Sequence, residues 1–69
     1  AHFEKSESKL KTARKHCGLT QEELAGESGV SLNTIRAYER KGKDINKAQF
    51  DIVLRLAKAL KCDIIELLN

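Results

Sequence analysis

Proline, methionine and tryptophan are absent from this 69-residue chain, glycine occurs four times, and only one tyrosine and two phenylalanines supply aromatic rings. With so few breakers in so short a chain, the expectation is one small helical domain rather than two. Cysteine is scarce as well. Cys17 and Cys62 could form one bridge in an oxidising compartment, whereas disulfide-stapled miniproteins usually carry about four or more cysteines, so reduced, buried thiols are expected. Nor is there an apolar run near the roughly 18 residues that would span a bilayer, and no basic-then-apolar signal segment opens the chain. A soluble, cytoplasmic protein with no membrane partner is expected. The chain begins at Ala1 without an initiating Met, as a trimmed or excised domain would.

Shortness also argues against chemistry. A chain of this size buries only about 60% of its unfolded surface, and its core rarely supplies more than about 3 to 5 kcal/mol. Most large side chains must therefore serve packing, and little remains for a catalytic pocket. His2, His16, Cys17 and Cys62 show no CxxC or HxxxH pairing that would hold a metal, and no nucleophile stands beside an oriented base. The reading is a protein that is not an enzyme, with no metal, cofactor or small-molecule ligand.

What the chain does have is separated charge. The formal net charge is +3, with 33% charged and 41% hydrophobic residues, a globular composition. Residues 1 to 8 carry −1, residues 9 to 19 carry +4, residues 20 to 29 carry −3, residues 30 to 47 carry +3 and the remainder is neutral. A merely solvated face would intersperse its signs; here two basic blocks flank an acidic one.

Hydrophobic spacing predicts five helices, with residues 1–5 as a tail. The first covers about residues 6 to 17, where Leu10, Ala13 and Cys17 share a face, and Gly18 closes it. Thr20 and Glu23 form a capping box that opens a second helix to about Ser28. Gly29 then permits a sharp turn, and Ser31 caps a third helix from Leu32 to about Arg40. That helix sends Ile35, Tyr38 and Glu39 to one side and Asn33, Arg36, Ala37 and Arg40 to the other. Lys41 to Ile45 reads as a loop, and Asn46 with Gln49 as a capping box before a long apolar helix. Its stripe of Phe50, Val53, Leu54, Ala57 and Leu60 is widened by Ile52, Leu56 and Ala59. Asp63 and Glu66 suggest a last capping box opening a short helix with Ile64, Ile65, Leu67 and Leu68.

Two short helices joined through a glycine turn must cross steeply over small residues such as Ala25, and Leu24, Val30, Ile35 and Tyr38 can fill the angle between them. The outer face of the second of the two is polar and basic, a shape that suits the major groove of DNA. Gly18-Leu-Thr-Gln-Glu-Glu-Leu-Ala25, Gly29-Val-Ser31, Thr34-Ile35, Tyr38-Glu39, Leu56-Ala-Lys-Ala-Leu60 and Glu66-Leu-Leu68 resemble, in order and over about residues 8 to 68, the lambda-repressor and Cro-like (Xre-like) helix-turn-helix family. The resemblance implies an all-α, five-helix domain over 1–69, with the helix-turn-helix unit at 20–40, acting as a sequence-specific transcriptional regulator, more often a repressor. Its partner would be double-stranded DNA, bound as a homodimer. Carried over by position, it puts Leu32, Asn33, Arg36 and Ala37 at base edges and Gln21, Thr34, Arg40, Lys41 and Lys43 at phosphates. Arg14 and Glu39 match positions of an ion pair between first and third helices; the alternative is two solvated charges. Ser28, where many relatives are larger and apolar, and Gly26, inside a helix, depart from the pattern.

A second class of function is a helical protein-interaction module, antitoxin-like or a partner-subunit domain, using the apolar surface of the last two helices. Against it, a small five-helix core needs nearly all of those residues.

Overall fold

A computed structural model of the chain describes residues 8–40 and 44–68. Among the described residues, four α-helices run α1 (Lys9–His16), α2 (Gln21–Ser28), α3 (Leu32–Glu39) and α4 (Phe50–Leu60), with 3-10 turns at Ile45–Lys47 and Ile64–Glu66. No strand occurs among the described residues. The all-α class is as expected, but the expected fifth helix is a 3-10 turn, and another such turn, starting at the last residue of the anticipated loop, stands where the long helix was expected to open, so that α4 begins only at Phe50. The expected tail and the first residues anticipated for α1 lie outside the described residues.

Local chemistry sets most boundaries. The Ser8 side chain accepts from the Lys11 amide at 3.1 Å, and Ser31 accepts from Thr34 at 3.1 Å. At α2 the capping box is complete: Thr20 Oγ1 accepts from the Glu23 amide at 3.0 Å, while Glu23 Oε1 accepts from the Thr20 amide at 2.9 Å. Each cap satisfies donors that the first helical turn cannot.

The other two anticipated capping boxes do not form. Gln49 precedes α4 without a side-chain cap, and Asp63 precedes the terminal turn without one. Asp44 Oδ1 instead accepts from the Asn46 amide at 3.0 Å, closing a turn that buries Ile45. In the terminal turn, Glu66 and Leu67 donate to the carbonyls of Asp63 and Ile64, both at 3.0 Å. These tighter i→i+3 bonds swing Leu67 fully into the core. In both places burial of one apolar side chain outweighs a cap exposed to water.

The core takes one fully buried side chain from each α-helix, Leu10, Leu24, Ile35 and Leu56, and a fifth, Leu67, from just after the terminal turn. Val30, Tyr38, Ile45, Val53, Ala57 and Leu60 complete it. Of the α4 stripe, Val53, Leu56, Ala57 and Leu60 are buried, Ile52, Leu54 and Ala59 are half-buried, and Phe50, expected within it, is 68% exposed at the start of the helix. Helix α2 packs on α4 and α3, and α1 packs on α3 and the terminal turn. Helix α3 is thereby held from two sides with one face outward. No helix among the described residues is long and apolar enough to cross a membrane.

Candidate nucleic-acid interface

The turn between α2 and α3 spans only Gly29, Val30 and Ser31. Gly29 adopts φ 75°, a left-handed conformation that closes α2 at little steric cost, and its amide donates to Ala25 O at 3.0 Å. Ser28 proves useful here. Its hydroxyl donates to Leu24 O at 2.7 Å and accepts from the Val30 amide at 3.1 Å, satisfying a buried backbone donor at the corner. A larger apolar side chain could not do this. The sequence marked Ser28 only as a departure, because its partners become visible once the corner is built.

Helix α3 has two distinct sides. Ile35, Tyr38 and Glu39 are buried, whereas Asn33, Arg36 and Arg40 are exposed and Ala37 half-buried between them. The spacing 33, 36, 37, 40 puts these four on one face. Leu32 and Thr34 are half-buried at the start of the helix, and Thr34 Oγ1 accepts from the Ser31 hydroxyl at 2.8 Å. Arg40, the C-cap, donates its amide to Arg36 O at 2.9 Å. Lys41 and Lys43 lie outside the described residues.

At the other helix of the unit, Gln21 opens α2. Its Nε2 donates to Glu39 Oε1 at 3.0 Å, tying the α2 N-terminus to the buried side of α3. Glu39 Oε2 in turn accepts from Arg14 Nε at 2.7 Å and Oε1 from Arg14 Nη2 at 3.0 Å, a bidentate pair from α1 whose side chains are 11% and 3% exposed. Arg14 Nη1 also donates to Leu19 O at 2.8 Å, fixing the connection into α2. One guanidinium thus joins α1, the α1–α2 connection and α3. Nothing local announces the Gln21 link or the Leu19 contact, since each joins residues that only folding brings together.

Glu22 and Glu23 are exposed beside Gln21. The Glu23 carboxylate folds back on the Thr20 amide, which draws one of the two negative charges onto its own helix end. Cys17, expected as a packing residue or a half-exposed thiol, is exposed, its Sγ donating to Leu60 O at 3.2 Å, and Cys62, expected to be buried, is half-buried; both are free thiols. Among the described residues no group of three or more His, Cys, Asp or Glu is arranged to hold a metal ion.

Two short capped helices meeting at a left-handed glycine, the second with a polar, basic outer face, form a helix-turn-helix, and a helix-turn-helix family model matches residues 10–67. The chain belongs to the Cro/C1-type helix-turn-helix family. Its members are DNA-binding transcriptional regulators, and this chain is a DNA-binding helix-turn-helix protein whose partner is double-stranded DNA. No curated protein and no solved structure matches the chain.

Proposed function

We propose that this helix-turn-helix protein is a sequence-specific repressor that occludes promoters by laying α3 in the major groove. The observation that carries the reading is the division of α3 into a buried side and an outward side that displays Asn33 and Arg36 with Ala37 and Arg40. Asn pairs with the adenine edge and Arg with guanine through two hydrogen bonds each, while Leu32 and Ala37 offer apolar contact to a thymine methyl. Gln21, Thr34 and Arg40, with Lys41 and Lys43, would grip phosphates and set the register. The mechanism is occupancy, with no catalysis, cofactor or small-molecule ligand. The chain acts as one reading domain, with residues 20–40 as its helix-turn-helix unit, and two copies would occupy a near-palindromic site. Its place of action is the cytoplasm, with the DNA.

The protein-interaction reading would rest on Phe50 and Ile65, which are 68% and 73% exposed. They stand in different elements, and exposed apolar residues scattered singly are ordinary on small proteins. Selection from a random duplex library at several salt concentrations tests the two readings. An enriched motif is expected. Asn33→Ala or Arg36→Ala should relax preference at individual base pairs, while Lys43→Ala should weaken all duplexes alike and flatten the salt dependence. A library that enriches nothing and shows no salt-dependent retention would overturn the DNA reading in favour of a protein partner.

A further inference from the structure

One face of α1, the end of α4 and the terminal turn border an open cleft of about 460 Å³ lined by Lys9, His16, Cys17, Leu60, Cys62 and Glu66, among others. Both cysteines of the chain face it, although they are separated by 44 intervening residues. Their approach follows from how α4 ends. Lys61 takes the left-handed conformation at φ 57°, and the chain doubles back so that the Cys62 amide donates to Ala57 O at 3.1 Å. That reversal sets Cys62 beside the last turn of α4. From the other side, Cys17 closes α1 and its thiol rests on the Leu60 carbonyl at 3.2 Å, two residues before Cys62.

We propose that Cys17 and Cys62 are a reversible thiol pair, which hydroperoxides convert to an intramolecular disulfide across this cleft. The two cysteines differ in the way such a reaction needs. Cys17 is exposed and meets the oxidant first, while Cys62 is half-buried. Burial, followed by the charges of Glu66, Cys17 and Asp63, raises the Cys62 thiol above its ordinary value of 9.0 and keeps it protonated until a partner is at hand. In the first step Cys17 gives its proton to solvent and its sulfur attacks one peroxide oxygen; the O–O bond breaks, the sulfur becomes a sulfenic acid, and the departing oxygen takes a proton back from solvent and leaves as water from hydrogen peroxide or as an alcohol from an organic hydroperoxide. In the second the Cys62 sulfur attacks the Cys17 sulfur, the S–O bond breaks, the thiol proton leaves with the displaced hydroxide as water, and the S–S bond forms. Two thiols lose two electrons in all, and the peroxide takes them. The bond would tie the end of α1 to the end of α4 and enclose α2 and α3, the DNA-reading unit, in one covalent loop.

Hydrogen peroxide treatment of the intact chain, with mass spectrometry and thiol titration, tests the pair. The expected product is a monomer lighter by two hydrogens, with both thiols lost and the tryptic segment 16–36 joined to 62–69. Closing so long a loop should raise Tm by about 10 °C or more, reversibly with dithiothreitol. Cys17→Ser and Cys62→Ser should each abolish the product; mapping of the unsubstituted chain decides the matter even if one of them folds poorly. Oxygen adducts without a cross-link, a bond between two chains, no reaction at peroxide levels that oxidise a small dithiol, or a linked chain whose Tm falls would each overturn the proposal.

Discussion

Replacing Arg14 with alanine is the most incisive perturbation of this fold. Glu39 is 3% exposed in its side chain and takes two of its three hydrogen bonds from Arg14, the third from Gln21. Arg14→Ala leaves a carboxylate in a nearly dry site with one neutral donor, and breaking a buried pair from one side costs about 3 to 5 kcal/mol. Total stability at roughly 0.05 to 0.15 kcal/mol per residue is only about 3.5 to 10 kcal/mol for a chain of this length. The variant should therefore lose at least about a third of its stability, and at the upper end of the cost all of it. Urea titration followed by far-ultraviolet circular dichroism reads the loss as a lower midpoint at unchanged slope, or as a chain unfolded without urea. Removing both charges separates the cost of an orphaned carboxylate from the worth of the pair. Arg14→Met with Glu39→Leu should recover most of the loss, because apolar replacement of a buried pair is often neutral. It should fall short by about 1 kcal/mol for the forfeited bond to Leu19 O. An Arg14→Ala midpoint equal to the parent's would refute the reasoning, since a desolvated Glu39 would then carry no penalty.

Two glycines should respond oppositely to alanine. A Cβ at Gly26 meets nothing within 4 Å inside α2, so Gly26→Ala should stabilise by about 0.5 to 1 kcal/mol in the same titration. Gly29→Ala should destabilise by about 1 to 2 kcal/mol through its φ of 75°, because the nearest atom, Arg55 Nη1 at 3.6 Å, is in ordinary contact. Thr20→Ala removes one half of the α2 capping box and should cost about 1 kcal/mol, read as a drop in Tm. Cys62 makes stability depend on alkaline pH. Its folded thiol holds its proton above the ordinary 9.0, so its contribution is complete below that pH and is lost as pH rises through the raised value. The difference in urea midpoint between the parent and Cys62→Ala should be constant below pH 9 and shrink above it; a constant difference throughout would count against the shift.

Legibility followed the range of the interaction. The caps at Thr20 and Ser31 and the turn at Gly29 could be read in the chain because donor and acceptor lie within about three residues. The same local reasoning misassigned Asn46 with Gln49 and Asp63 with Glu66, where the right residue types stand at the right spacing but Ile45 and Leu67 draw the backbone into 3-10 turns to reach the core. Phe50 fits the α4 stripe by period and still projects into water, since periodicity assigns a face and says nothing about what packs against it. At the candidate interface, the outward set of Asn33, Arg36, Ala37 and Arg40 follows from spacing on one helix. The ties among Arg14, Glu39, Gln21 and Leu19 do not.

The amino-acid sequence by itself determined where helices start and stop around the helix-turn-helix and which face of α3 is polar, because both are decided within one or two turns of chain. Tertiary structure alone decided that Glu39 would be nearly dry, that Gln21 would be tied to it, and that Cys17 and Cys62 would share a cleft. Burial and electrostatic pairing depend on groups far apart in sequence, and only the packing of α1 and α2 against α3 and of the terminal turn against α1 and α4 brings them together.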